Sequence, residues 1–265
     1  MIQFFVNRKE FFMDIRFCTD SNFDQDIELI KKHKIGVEFQ EFYDPFIKNL
    51  AKTLKHQKEM SAKIKHKSLH APFWELNPGT KMPGLRKETM KMYNFAYKCA
   101  KELGCDSIVV HNGYYPGTYG YSGWVRRTTA FWQEFFADKD NSITMMIENQ
   151  FEKDSELIKM VIDSVNDKRL KVNLDIGHAN CNSDMSVYNW IKTLGKRIGY
   201  MHLHNNHGKN SGAENLDEHL DITNGTIDIK KVIKLVKQHC PKAILAIESS
   251  KNAEQSIELL KKITK

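Results

Sequence analysis

The feature that most constrains the fold is a regular alternation of short apolar segments with longer amphipathic segments. From Met13 onward the sequence predicts eight strands, each followed by a helical segment. Eight such units in roughly 250 residues favour a closed (β/α)8 TIM barrel of the α/β class, with a doubly wound open sheet as the structural alternative. We therefore expect one barrel domain over residues 13–265 and an N-terminal extension over residues 1–12.

Composition and charge narrow the class of protein. The chain has 265 residues, 41% of them hydrophobic and 28% charged, which suits a soluble protein with a sizeable core. Its formal charge of +7 comes mainly from lysine, and a run such as 52–67 is typical of a solvated helix face, although an anionic substrate or nucleic acid stays open as a partner. We expect no membrane span, because no apolar run is long enough. None of the five cysteines forms a Cys-x-x-Cys pair, so we expect reduced cysteines in a cytoplasmic protein.

Carboxylate and imidazole side chains recur at the ends of six consecutive predicted strands. Strand six runs directly into Asp175, and His178 follows in the next loop. In such a barrel the carboxyl ends of all strands open onto one face, where active sites form. The further candidates from strand ends, and from the loop after strand seven, are His70, His111, Glu148, His202, His204, Asp217, His219 and Glu248.

So many titratable groups around one opening predict a divalent-metal site. A single histidine or glutamate at a strand end is more often structural, but the whole group would repel or stay unsatisfied unless cations organised it. Imidazole and carboxylate ligands without thiolate suit Zn, Mn, Co or Fe, and the pattern does not choose among them. His202 and His204 face the same side of their strand, so one can bind the ion while the other binds substrate or supports a ligand.

These motifs resemble the xylose-isomerase-like barrel superfamily, which also contains the AP endonuclease family 2 enzymes related to endonuclease IV. The resemblance covers nearly the whole chain from Met13 and rests on Ser-Leu-His-Ala-Pro, Val-Val-His-Asn-Gly, Ile-Glu-Asn, Asp-Ile-Gly-His, Met-His-Leu, Asp-Glu-His-Leu and Ile-Glu-Ser. It implies one to three divalent ions, with Zn or Mn expected. By resemblance, one ion is held by His70, His111 and Glu148, a second by Glu148, Asp175, His202 and Glu248, and a third by His178, Asp217 and His219.

Two functions are compatible with this resemblance, and the first is an isomerase or epimerase. Asp-Ile-Gly-His-Ala-Asn and His-Leu-His-Asn-Asn are similar to the sugar isomerase/epimerase branch. That branch implies a sugar, sugar phosphate or related polyol as substrate and a metal that polarises its carbonyl. Glu148 and Glu248 would be the acid and base, His178 and His204 would orient hydroxyls, and Phe73 and Trp74 would wall the pocket.

The second function is a trinuclear phosphodiesterase that cleaves DNA at abasic sites. The complete set of ligand positions favours it, and Phe73 and Trp74 would then act as wedges in a duplex. Glu218 disfavours it, because the DNA-repair members have arginine there and an acid beside a phosphodiester is unfavourable. Residues 150–154 also replace their glycine-rich stretch. We prefer the isomerase or epimerase, and a barrel that binds a ligand or metal without turnover is a third hypothesis.

Overall fold

The strands form one closed parallel barrel in sequential order, in a computed structural model that describes residues 13–19 and 22–265. β8 pairs in parallel with β1 and closes the sheet, so the (β/α)8 prediction is confirmed and the open sheet is excluded. The strands are β1 Ile15–Cys18, β2 Gly36–Phe39, β3 Lys67–His70, β4 Ser107–His111, β5 Thr144–Glu148, β6 Leu170–Asp175, β7 Ile198–Leu203 and β8 Ile244–Ile247.

Helices follow the strands and cover the outside of the barrel. They are α1 Phe23–His33, α2 Leu50–Met60, α3 Pro83–Leu103, α4 Tyr121–Phe136, α5 Glu156–Val165, α6 Ile176–Asn182, α7 Val187–Leu194, α8 Ile229–His239 and α9 Ala253–Thr264, with short 3-10 turns at Glu41–Tyr43 and Gly195–Arg197. Gly104 ends α3 in the left-handed conformation, and its N–H donates to carbonyls of the last turn.

The helix α6 corrects one detail of the sequence interpretation. His178 was expected in a loop, but it lies in the first turn of α6. The cause is local, because the Asp175 carboxylate accepts a hydrogen bond from the His178 N–H at 2.6 Å and so caps the helix. This cap ties the end of β6 to α6 and fixes both side chains relative to each other.

The period of two along each strand stacks layers of side chains inside the barrel. A small apolar cluster contains Cys18, Val109, Met146, Tyr200 and Ala246. Because side chains two residues apart point to the same face of a strand, this cluster supports the residues that come two positions later. Those residues are His111, Glu148, His202 and Glu248, and they form the layer at the carboxyl-terminal end of the barrel, which we call the mouth.

Other sequence-based expectations concern the membrane, the cysteines and the amino terminus. Within the described residues, no helix is both long and apolar enough to cross a membrane. The five cysteines all belong to the described part of the chain, where they are buried and form no disulfide. The predicted N-terminal extension, residues 1–12, lies outside the described residues.

Candidate metal centre at the mouth of the barrel

Glu148, the last residue of β5, lies among four imidazoles and is almost fully buried. Its Oε2 is 3.6 Å from His70 Nε2 and 3.3 Å from His202 Nδ1. Its Oε1 is 3.7 Å from His111 Nε2 and 3.1 Å from His178 Nδ1. Side chains that are far apart in the sequence therefore converge on one carboxylate, as the strand-end pattern predicted.

His202, near the end of β7, lies at the centre of a second group and is fully buried. Its Nδ1 is 3.1 Å from Glu248 Oε2, 3.3 Å from Glu148 Oε2 and 3.7 Å from Asp175 Oδ2. His202 Nδ1 and Glu248 Oε2 are both buried without a hydrogen-bond partner. Unpaired buried polar atoms are costly, and a cation bound between them would satisfy both.

Asp217 joins a third group of donors beside the first two. Its Oδ2 is 3.2 Å from His178 Nε2 and 3.1 Å from His219 Nε2. A tetrahedral zinc ion with ligand distances of about 2.0–2.1 Å separates its donor atoms by roughly 3.3 Å. The spacing of this group therefore fits a small divalent ion, and Asp217 and His219 come from the loop between β7 and α8.

One ring nitrogen of most of these histidines faces a hydrogen-bond acceptor outside the donor groups. A carbonyl or carboxylate oxygen only accepts, so that nitrogen would keep its proton, and the other nitrogen, which faces the carboxylates of the mouth, would give up its proton and bind a metal through its lone pair. The pairs are His70 Nδ1 with Ala71 O at 2.9 Å, His178 Nδ1 with Asn149 O at 2.9 Å, His219 Nδ1 with Glu248 O at 3.0 Å and His202 Nε2 with Glu38 at 3.0 Å.

The electrostatics of the mouth keep its carboxylates ionised. Burial raises the pKa of Glu148, but the imidazoles of His202 and His111 outweigh it and hold that pKa well below its ordinary value. The same balance of burial and His202 lowers the pKa of Glu248. Burial lowers the pKa of His111 to about 4, so that ring is neutral at pH 7 and able to act as a ligand.

His204 lies deeper than a residue that contacts substrate from solvent. It is fully buried, its Nε2 is 3.0 Å from Asp175 Oδ1, and its ring stacks on His219 with centroids 4.0 Å apart. Gly177 makes room for the ring, since a Cβ there would come within 2.0 Å of His204 Cε1. The geometry makes His204 a support for Asp175 and His219, and its role in substrate binding stays a prediction.

Phe73 and Trp74 extend from the candidate metal centre towards solvent. The Phe73 ring stacks on His111 with centroids 4.4 Å apart, and the Trp74 side chain is 54% exposed. Tyr43 packs against both, at 5.9 Å from Phe73 and 5.7 Å from Trp74 between centroids. These rings form a continuous aromatic wall, and only Tyr43 was absent from the sequence-based candidates.

Two residues of β2 and its following turn reach the centre and were missed from the sequence. Glu38 is fully buried against His202, and Gln40 Nε2 donates to Glu248 Oε1 at 2.6 Å. The signal in the sequence was an acid inside the apolar segment Ile-Gly-Val-Glu-Phe. The strand-end pattern does not single out Glu38, because β2 ends in Phe39 and not in a titratable residue.

Three donor groups correspond to the sets that the resemblance implied, except that Glu248 is absent from the second and instead groups with His202 and Cys18. In each group the donor atoms lie within 4.8 Å of one another, as a shared ion requires, and the third group also includes His204. The groups are His70 with His111 and Glu148, Glu148 with Asp175 and His202, and His178 with His204, Asp217 and His219. The residues present therefore fit divalent metal, and the imidazole hydrogen bonds and unpaired atoms described above point to the same conclusion.

The fold and this site define a class of (β/α)8 barrels with carboxylate and imidazole ligands at the mouth. The chain belongs to the xylose isomerase-like TIM barrel family, whose model matches residues 29–263. It is 27% identical over 210 residues to the uncharacterized protein MJ1311 of Methanocaldococcus jannaschii, covering 73% of this chain and 68% of that protein.

Solved structures share the barrel over nearly its full length. A D-tagatose 3-epimerase-like protein superposes with a TM-score of 0.75 and 24% identity, covering 95% of this chain and 97% of the other. The TTHB071 protein from Thermus thermophilus, soaked with ZnCl2, superposes with a TM-score of 0.74 and 18% identity, covering 95% and 98%. At these identities the similarity establishes the fold.

Proposed function

We propose that this protein is a divalent-metal-dependent isomerase or epimerase of a sugar, sugar phosphate or related polyol. The observation that carries the proposal is the position of two glutamates about one point. Glu148 Oε2 and Glu248 Oε2 lie 3.3 Å and 3.1 Å from the same His202 nitrogen. They come from β5 and from the residue after β8, so a substrate bound between them would meet a carboxylate from two directions.

Four residues of the mouth would hold the ion, and two of them would also move protons. Glu148, Asp175, His202 and Glu248 would hold a divalent ion, with zinc or manganese expected, and such an ion supplies Lewis-acid polarisation of the substrate carbonyl and adjacent hydroxyl. In an isomerisation, one ionised glutamate would accept the proton from carbon and return the same proton to the neighbouring carbon. In an epimerisation, the other glutamate would take a proton from water and deliver it to the opposite face of that carbon, and the first would release its proton to water. The aromatic wall of Phe73 and Trp74 would exclude water from one side.

The similar proteins support this proposal in two ways. The D-tagatose 3-epimerase-like protein has the same barrel, and the Thermus protein was soaked with zinc. We extend sugar epimerisation and zinc binding to this chain as part of the proposal, since a shared fold does not fix a reaction. The carboxylate and imidazole side chains at the mouth are the reason for proposing both properties for this chain.

A specific observation favours the second candidate, a trinuclear phosphodiesterase acting on abasic DNA. The group of His178, Asp217 and His219 is complete, and a mononuclear isomerase does not need it. Glu218 argues in the other direction, because its carboxylate accepts bonds from His207 beside this group and adds negative charge where a phosphate would lie.

The experiment that tests the proposal measures hydrogen exchange at carbon. Zinc- or manganese-loaded protein is incubated with a panel of ketoses and ketose phosphates in D2O, and proton NMR follows loss of the carbon-bound proton beside the carbonyl. Exchange by the wild type and none by Glu148→Gln supports the isomerase or epimerase. No exchange with any member of the panel, together with metal-dependent nicking of a duplex that contains one abasic site, would overturn it in favour of the phosphodiesterase.

A further inference from the structure

We propose that Glu38 and Gln40 are positioning residues that fix how His202 and Glu248 face the metal. The inference rests on the proposed function, because it concerns the same centre. Neither residue is part of the predicted ligand set, and both come from the β2 region, which supplies none of those ligands.

Glu38 determines which nitrogen of His202 is free. Its Oε1 and Oε2 lie 3.0 Å and 3.2 Å from His202 Nε2, and both side chains are fully buried. Since a carboxylate only accepts, His202 donates from Nε2, and the nitrogen whose lone pair a bound metal would take is then Nδ1. That is the nitrogen that faces Glu148, Asp175 and Glu248.

The location of Glu38 makes a purely structural role unfavourable. Its strand neighbours in register are Cys18 on β1 and Ser68 on β3, which carry no charge to balance it. A buried carboxylate without a partner costs several kcal/mol, so its pairing with His202 is what allows it to be there. An apolar side chain would fill the same space, as Val109 and Met146 do in other strands.

Gln40 determines which oxygen of Glu248 faces His202. Its Nε2 donates to Glu248 Oε1 at 2.6 Å and also lies 3.4 Å from Glu38 Oε1. Glu248 Oε2 is thereby left towards His202 Nδ1 at 3.1 Å. Glu38, His202, Glu248 and Gln40 thus form a closed ring of contacts, and β2 orients an imidazole ligand and a proposed acid/base together.

The test compares near-isosteric substitutions at these positions. Glu38→Met and Gln40→Met remove the polar contacts while keeping the side-chain length. Ser68→Ala is the matched control, because Ser68 is buried next to Glu38 in register and bonds Tyr200 instead of a ligand. Zinc affinity is measured by competition with a chromogenic chelator, and the tautomer of His202 in the zinc-loaded protein is read from ¹⁵N-detected imidazole shifts. Circular dichroism confirms folding.

We expect Glu38→Met to weaken zinc binding by about 10- to 100-fold, which is the usual cost of losing such a support. Glu38→Gln should recover part of that loss, because its amide oxygen can still accept from Nε2, and it replaces Glu38→Met should the latter fail to fold. Gln40→Met should slow exchange of the substrate proton by about 10-fold with little change in KM, because it misorients a proton-transfer group. Ser68→Ala should leave both measurements unchanged.

The outcomes separate this inference from the proposed function. Zinc binding by the wild type, with equal affinity and the same His202 tautomer in Glu38→Met, would overturn the role of Glu38 and leave the proposed function intact. Normal exchange kinetics in Gln40→Met would overturn the role of Gln40. Failure of the wild type to bind zinc or manganese at all would instead remove the proposed function on which both roles depend.

Discussion

The barrel interior holds buried charge at both of its ends, and the hydrogen bonding of that charge differs between them. Near the amino ends of the strands, Arg16 on β1 is almost fully buried and bonds Asp14 at 2.9 Å and both oxygens of Asp106 at 2.8 Å. At the mouth, His202 Nδ1 lies 3.3 Å from Glu148 Oε2 and 3.1 Å from Glu248 Oε2, yet His202 Nδ1 and Glu248 Oε2 have no hydrogen bond.

The difference indicates that buried charge serves stability at one end of the barrel and the candidate site at the other. The two terminal nitrogens of Arg16 bond acids that are themselves partly exposed, so its charge is balanced by side chains of the protein and only its Nε lacks a partner. Two donors at the mouth, His202 Nδ1 and Glu248 Oε2, face one another without a hydrogen bond, and a bound cation would satisfy both. We therefore expect Arg16 and its partners to matter for stability, and the residues of the mouth to matter for metal binding and catalysis.

The substitution Glu148→Gln is expected to have the largest effect and tests the role of the mouth directly. The change removes a negative charge that faces four imidazoles, and we expect activity to fall by about 10²–10⁴-fold, with loss of bound metal and a barrel that still folds. Metal analysis and the exchange assay measure it. Glu152→Gln is the control, because Glu152 is also buried but bonds Asn112 and the Gln150 N–H. Full activity in Glu148→Gln would refute the whole constellation.

Binding of metal at the mouth should increase the free energy of unfolding of the protein. A ligand that binds only the folded state at 100 times its Kd adds about 2.7 kcal/mol to the free energy of unfolding. We therefore expect zinc or manganese to raise Tm and a chelator to reverse the shift, as measured by thermal denaturation. A Tm that does not respond to these metals would contradict the completion of the donor groups by a cation.

Arg16→Met should produce the opposite result, a loss of stability without a loss of metal. Breaking a fully buried pair costs about 3–5 kcal/mol. The side chains of Asp14 and Asp106 are 24% and 47% exposed, so solvent screens them and we expect about 1–2 kcal/mol here. Chemical denaturation gives the loss, and metal analysis should show unchanged content. Reduced metal content in folded protein would show that the two ends are coupled.

Asp217→Asn should have the smallest effect on catalysis and sharpens the comparison within the mouth itself. Asp217 contacts His178 and His219 rather than the Glu148 and Glu248 pair. If the protein is an isomerase, the activity of Asp217→Asn should stay within about threefold of wild type, which is a change in activation free energy of less than about 1 kcal/mol. The bound metal should fall by one ion if the third group is filled. A loss above about 100-fold would indicate that a trinuclear centre performs the chemistry.

The limits of sequence-based reasoning are visible in individual residues. The positions of Glu148, Asp175 and His202 were predictable because each closes or nearly closes a short apolar strand, and a barrel brings strand ends together. The helix that carries His178 was missed because it has only seven residues and depends on the cap from Asp175. The wall residue Tyr43 was missed because it belongs to a short turn without periodicity.

The sequence by itself determined the eightfold alternation and the carboxylates and imidazoles at strand ends, because those signals are local and repeat with the period of each element, and it favoured the closed barrel over an open sheet. The tertiary structure decided which buried atoms stay unpaired, and it brought Glu38 and Gln40 to His202 and Glu248. Glu38 meets His202 across 164 residues, and Gln40 meets Glu248 across 208. Contacts of that separation exist only once the barrel has closed and opposite strands face each other across its interior.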